Sequence, residues 1–252
     1  MSLGDPVKTE DGSYTIMHPG HGECYHSYDG AAKEARDLYI ERSGFLDAVS
    51  RTTKAIRVLD VGLGLAYNAL TTVDAWRTLG NPSNIEMLSL EIEEKLVIEL
   101  ASGKPSWSEG WADEWKDLAS SLEKIEDPQS IDRLKDKFSF AKSFWHAKLK
   151  KGESSFDWLI VIGDASKASG FKTDEEQPWD FVWQDPFSPE KNPSMWSAKW
   201  FSLVKKECHK ETSLMTYSVS RVTKNALTEG GWGFEKVDTT TRKRHWIKAS
   251  PS

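Results

Sequence analysis

The chain has two cysteines in 252 residues, Cys24 and Cys208, far apart in sequence. That excludes a disulfide framework and a cysteine-built metal knuckle. No apolar run approaches the ~20 residues of a membrane-spanning helix. The opening Met1-Ser-Leu-Gly-Asp5 is too polar for a secretory leader. A cytoplasmic protein with no membrane partner is therefore expected. Several catalytic signatures are missing as well. There is no G-x-S-x-G nucleophile elbow and no H-E-x-x-H helix. Gly103-Lys104 lacks the earlier glycine of a phosphate loop and is followed by proline. The six histidines are scattered, so no metal is expected. The formal charge of −6 does not by itself mark a nucleic-acid binder.

What remains is ordinary in bulk, 38% hydrophobic and 29% charged, with an unusual twelve tryptophans. The length suits one α/β domain with a full core, read here as a single domain over 1–252. Residues 1–50 form an N-terminal extension, extended over 12–29 and helical over 31–50. From Ala55 strands and helices alternate, the pattern of a parallel sheet. Strands are expected at 56–61, 85–91, 156–163, 179–184 and 213–219. A helix follows the first, with Leu70, Val73 and Trp76 on one stripe and a stop at Gly80-Asn81-Pro82. Another is expected near 194–207, and 232–248 reads as an antiparallel pair. The stretch 102–150 breaks this rhythm. Trp107, Trp111 and Trp115 recur every four residues and Leu118 and Leu122 continue the stripe. It reads as a helical insertion or lid, its tryptophans used for packing.

The chemistry concentrates at strand ends. Phe181-Val-Trp-Gln-Asp185 runs an apolar strand into an acid, then into a loop stiffened by Pro186, Pro189 and Pro193. One carboxylate is thereby fixed where open α/β sheets bind ligands, although an acid opening a proline turn would look similar. Asp60-Val-Gly62-Leu-Gly64 ends a second strand. Its glycines let backbone approach a ligand, and the next helix offers free N–H groups. A dinucleotide fingerprint would want glycine where Tyr67 stands, and an acid nearer than Glu91. Glu91 and Asp164 end two more strands. Glu91 can accept both hydroxyls of a ribose, and Asp164 an adenine amino group. Each acid alone also fits a helix cap. Two basic clusters with aromatic residues, 133–151 and 242–248, suit an RNA surface or merely a solvated face.

Taken in order, these motifs resemble a known family. Asp60-Val-Gly-Leu-Gly-Leu-Ala-Tyr-Asn68, Ser89-Leu-Glu91, Gly163-Asp-Ala165 and Trp183 to Trp196 are joined by Gly30-Ala-Ala-Lys-Glu34-Ala-Arg36 and Tyr217 to Arg221. Together they resemble the MnmC-like tRNA methyltransferases over roughly residues 12–249, apart from 102–150. The most specific part is Asp-x-Phe-x-Pro-x-Lys-Asn-Pro, here Asp185 to Pro193.

The resemblance implies a class I, Rossmann-like α/β fold. Its sheet would be mostly parallel and seven-stranded, with helices on both faces. It implies S-adenosyl-L-methionine as cofactor. Gly62, Gly64 and Asn68 would face its methionine end, Glu91 its ribose, and Asp164 with Ala165 its adenine. Asp60 and Glu34 join that set. Asp185 would be catalytic, beside the methyl group and the incoming amine. Trp183, Pro186 and Phe187 would wall a uracil, although Trp183 and Phe187 equally suit the core. Lys191, Asn192, Arg242 and Arg244 would touch RNA.

The implied reaction methylates the amine of 5-aminomethyl(-2-thio)uridine at the wobble position. Its partners would be the anticodon stem-loop of tRNA and a separate enzyme that supplies the aminomethyl group. Ala66 and Pro186 stand where the family often has glycine. The 252 residues leave no room for an FAD-dependent oxidoreductase domain, so a stand-alone form is expected. Two other readings stay open. One is a methyl- or aminopropyltransferase for a small-molecule or protein amine. The other is a nucleotide-binding regulatory protein without catalysis.

Overall fold

A strand that is apolar on both faces must be covered on both, and Ile56–Val61 is buried at every position. The computed structural model describes residues 3–79, 83–127, 134–171, 177–239 and 245–252. Strands β1 (Pro6–Lys8) and β2 (Tyr14–Ile16) pair as a small antiparallel sheet. Helix α1 (Ala31–Ala35) passes through a π-helical turn (Arg36–Glu41) towards α2 (Phe45–Arg51). Then come β3 (Ile56–Val61), α3 (Tyr67–Thr78), β4 (Ile85–Glu91), α4 (Glu94–Ala101) and α5 (Asp113–Ser120). The central part adds β5 (Glu123–Lys124), α6 (Leu134–Lys137), β6 (Ala141–Lys151) and β7 (Ser154–Gly163). The chain closes with β8 (Trp179–Gln184), α7 (Ala198–Lys206), β9 (Cys208–Thr216), α8 (Arg221–Glu229), β10 (Trp232–Asp238) and β11 (His245–Pro251).

Among the described residues the main sheet has nine strands, in the order β10-β11-β9-β8-β3-β4-β7-β6-β5. The pairs β9–β8, β8–β3, β3–β4 and β4–β7 are parallel. Both edges add antiparallel strands, β11 and β10 on one side, β6 and β5 on the other. The expected seven-stranded sheet is the run from β10 to β7. The chain builds outward from β3 to β4 and β7, then returns to place β8 on β3's other side. The switch in direction therefore falls between β3 and β8, whose carboxyl ends frame a crevice.

Side chains of each strand alternate between two cores. Ile56, Val58, Phe156, Trp158, Ile160, Phe181 and Trp183 face one, with α1 to α5. Leu59, Val61, Leu88, Leu90, Val161 and Val182 face the other, with α7 and α8. Asp60, two residues beyond Val58, shares the first face.

The 102–150 stretch departs from expectation. Its helix α5 covers two turns, and its second half is the eleven-residue edge strand β6. Trp107 and Trp111 are buried, and Trp107 Nε1 donates to Leu65 O at 3.1 Å. The edge is tied to α4 through Glu94, which accepts from Ser143 Oγ at 2.7 Å and pairs with Lys124 at 2.9 Å. Phe138, Phe144 and Trp145 point inward, so this basic run offers no stacking surface from those rings. Lys148 pairs with Asp157, and Lys151 donates to the carbonyls of Arg77 and Leu79 at the end of α3. Arg133 and residues 242–244 lie outside the described residues. Ala66, just before α3, has φ 68° and is the non-glycine residue with positive φ among those described.

Candidate active site

The β3–β8 pairing continues one step past the strand: Asp185 N donates to Val61 O at 2.9 Å. The carboxylate is thus fixed to the sheet. At Gly62, φ 88°, a Cβ would lie 2.9 Å from Asp185 O and from Pro186 N and Cα. Only glycine lets the two strand-end loops touch.

Beneath the floor lies a chain of hydrogen bonds on the first face of the sheet. Trp158 Nε1 donates to Ser89 Oγ at 2.9 Å, and Ser89 Oγ to Asp60 Oδ2 at 2.7 Å. Asn68 Nδ2, from the first turn of α3, donates to Asp60 Oδ1 at 3.1 Å and to Asp185 Oδ2 at 3.0 Å. One amide therefore spans both acids. The Tyr39 hydroxyl also bonds to Asp185. Burial pushes Asp60 up to about 7, against the hydrogen bonds from Ser89 and Asn68. Burial, then the charge of Glu34, pushes Asp185 up to about 8.

Across β3 the acids are held differently. Glu91 Oε2 accepts from Gly64 N at 2.9 Å, and Oε1 accepts from Ile92 N and Glu93 N at 2.7 and 2.9 Å. Burial still raises its pKa. Asp164 Oδ1 accepts from Ser166 Oγ at 2.6 Å and Oδ2 pairs with Lys167 at 3.1 Å. Those contacts, Ser166 foremost, hold Asp164 below the usual carboxylate range. A carboxylate offers about four acceptor positions, so Glu91 and Asp164 retain capacity for a ligand.

A cavity of about 640 Å³ opens over these strand ends. Glu34, Gly62, Gly64, Glu91, Asp164, Ala165, Asp185, Pro186, Phe187 and Asn192 line it, as the motif reading expects. Its acids are Glu23, Glu34, Glu91, Glu93, Asp164 and Asp185, and among the described residues no Lys or Arg lines it.

Two expectations need amendment, those for Trp183 and for Asp60 with Asn68. Trp183 is fully buried, its ring 5.7 Å from Tyr39 and 5.9 Å from Phe45, one pleat below the cavity under the N-terminal helices. It is core. Asp60 and Asn68 sit under the floor rather than in the lining. Lys191 is exposed on the proline loop and outside the lining. Arg242 and Arg244 lie outside the described residues.

The sequence reading missed His18, His21, Glu23, Tyr25 and Tyr217, which also line the cavity. The available signal was the density of rings between Met17 and Tyr28. Among the described residues no cluster of metal-ligating side chains occurs, and no helix is long and apolar enough to cross a membrane.

Comparison with known proteins agrees with this geometry. A family model described as S-adenosyl-L-methionine-dependent methyltransferase matches residues 131–252. The tRNA 5-methylaminomethyl-2-thiouridine biosynthesis bifunctional protein MnmC of Acidovorax sp. (strain JS42) is 26% identical over 98% of this chain and 35% of its own length. That of Burkholderia multivorans is 28% identical over 91% of this chain and 32% of its own. The chain thus spans about a third of the length of these curated relatives. The crystal structure of MnmC2 from Aquifex aeolicus superposes with a TM-score of 0.73 at 27% identity, covering 99% of this chain and 71% of that one.

Proposed function

We propose, from the premise that the chain is an MnmC-like methyltransferase domain of the class I fold, that it methylates an amine on tRNA. The acceptor is the amine of 5-aminomethyl- or 5-aminomethyl-2-thiouridine at the wobble position, and the donor is S-adenosyl-L-methionine. The observation that carries this reading is a cavity lined by six carboxylates with no Lys or Arg among its described lining. Such a lining favours cations and disfavours phosphate or carboxylate groups. A sulfonium and an amine are the two cationic groups this reaction brings together.

The residues fit the cofactor. Glu91 and Asp164 keep acceptor capacity at the ends of β4 and β7, and the Gly62–Gly64 turn leaves backbone at the cavity wall. When bound, the cofactor supplies a methyl group already activated by positive sulfur. The protein's share is then alignment, which can contribute ~7–11 kcal/mol. Asp185, locked by Val61 O, Asn68 and Tyr39, in its ionised form takes one proton from the cationic amine first, which frees the nitrogen lone pair that then accepts the methyl. Raised to about 8, this carboxyl is a stronger base than an ordinary aspartate, and a cationic amine or sulfonium beside it favours the ionised form that takes the proton. Glu34 adds negative potential beside it. Phe187 walls the base, which must leave the anticodon stack to enter. The aminomethyl group comes from a separate enzyme.

With aminomethylated tRNA as acceptor, Asp185→Asn is expected to lower kcat by roughly 10²–10⁴. Its calorimetric affinity for the cofactor should stay within a few-fold of wild type. Undiminished turnover in the variant rules out the role given to Asp185. A second reading, a free small-molecule amine as acceptor, draws on the lack of cations in the lining to meet RNA phosphates. Label appearing on small amines but not on this tRNA would favour it.

A further inference from the structure

The segment from Met17 to Tyr28 crosses the proline loop after β8 and builds one side of the cavity mouth from rings. Phe187 lies 4.4 Å from His21, 5.0 Å from Tyr25 and 5.1 Å from His18 between ring centroids. His18 in turn lies 4.4 Å from His21 and 5.5 Å from Tyr25. All four rings are half-buried and line the cavity. The crossing is pinned by Glu23, whose Oε1 accepts from Ser188 Oγ at 2.7 Å. His18 is also fixed from within its own turn. Its Nδ1 accepts from Gly20 N at 3.1 Å and His21 N at 3.0 Å. A nitrogen that accepts two N–H groups carries no proton, so His18 is a neutral, flat ring. Burial and the neighbouring His21 lower its pKa in agreement.

We propose that His18, His21, Tyr25 and Phe187 form a stacking subsite for the planar heteroaromatic ring of the acceptor, distinct from the seat of the cofactor. This rests on the reading of the cavity as an amine methyltransferase site. The sheet order sets Phe187 apart from the cofactor's acids, while Tyr25, 3.3 Å from where a Cβ on Gly64 would stand, borders them. Glu91 and Asp164, suited to a ribose and an adenine, end β4 and β7 on one side of β3. Phe187 follows Asp185 by two residues at the end of β8, on the other side. A ring stacked at Phe187 therefore sits beside the carboxylate that takes the amine's proton. Ring–base stacking needs only a π-face and tolerates any pyrimidine substituent that does not clash. Specificity for the amine is left to Asp185 and Glu34. His18 and His21 thus act as base-stacking residues contributed by a segment outside the central sheet.

The test uses the full chain and the nucleoside 5-aminomethyluridine as probe. The imidazole Cε1–H signals of His18 and His21 should shift saturably by ring current when the nucleoside is added. His21→Ala should raise KM for the nucleoside about 5- to 150-fold, the span of one base–aromatic stack. Affinity for S-adenosyl-L-methionine by calorimetry should not change, and His21→Phe should restore KM. Absent histidine shifts, or a cofactor affinity that falls in step with KM, would overturn the subsite. If wild-type protein methylates the nucleoside without such shifts, the subsite alone fails. If the shifts appear but no methyl is transferred, the subsite stands and the proposed reaction fails.

Discussion

Asp60 has no exposed surface, and the hydrogen bonds that hold it come from two neutral donors, Asn68 and Ser89. Its role is architectural: through Asn68 it aims Asp185. The arrangement has a cost that pH reveals. The native carboxyl keeps its proton up to about 7, whereas an unfolded aspartate releases it near ~3.9. Between those values the native state binds the extra proton, so this group's contribution to stability falls as pH rises through that window and levels off above it. Asp60→Asn keeps the shape and cannot ionise. Its thermal midpoint is expected to decline less than that of wild type between pH 4.5 and 8. Parallel curves for the two proteins would contradict the assignment. The residues at strand ends, Asp185, Glu91 and Gly62, were legible because an apolar strand running into an acid or a glycine fixes their place. Trp183 was not. It shares a face with Asp185, and sequence parity cannot say which of two like-facing residues is covered by a helix.

Elements followed the same division. The bounds of β3, β4 and β8 read directly, since a short run buried on both faces has few alternatives. Strand β6 did not. Its Lys148 and Lys150 alternate with Ala147 and Leu149 in a pattern that protects a sheet edge, and neighbouring tryptophans at four-residue spacing suggested helix instead. Only Trp115 of those three lies within α5. The entry to α3 shows the converse case, in which an alanine holds a backbone conformation that favours glycine. Ala66 adopts φ 68°, ψ 13°, a left-handed conformation that costs alanine roughly 1–2 kcal/mol and glycine little. Allowing for glycine's greater freedom when unfolded, Ala66→Gly is expected to stabilise the fold by about 0.5–1 kcal/mol. A higher urea midpoint at unchanged slope is the readout. A lower midpoint would mean that the alanine methyl contributes more by packing than its backbone costs.

At the scale of the molecule, a parallel sheet whose direction reverses between β3 and β8 gathers carboxylates from three strand ends, those of β4, β7 and β8, into one crevice. The N-terminal segment adds Glu23, Glu34 and a ring wall. Fold and crevice followed from strand alternation and from acids placed at strand ends. The ring wall escaped because its parts come from residues 18–25 and from Phe187, which only the folded chain brings together. The central claim is that this acidic crevice delivers a methyl group to one amine on RNA. The most direct measurement compares labelled methyl transfer from S-adenosyl-L-methionine to one tRNA in two forms, with and without the 5-aminomethyl group on its wobble uridine. The account predicts label on the aminomethylated form, recovered in the wobble nucleoside after digestion, and none on the other. Equal labelling of both forms, or label at another nucleoside, would contradict it.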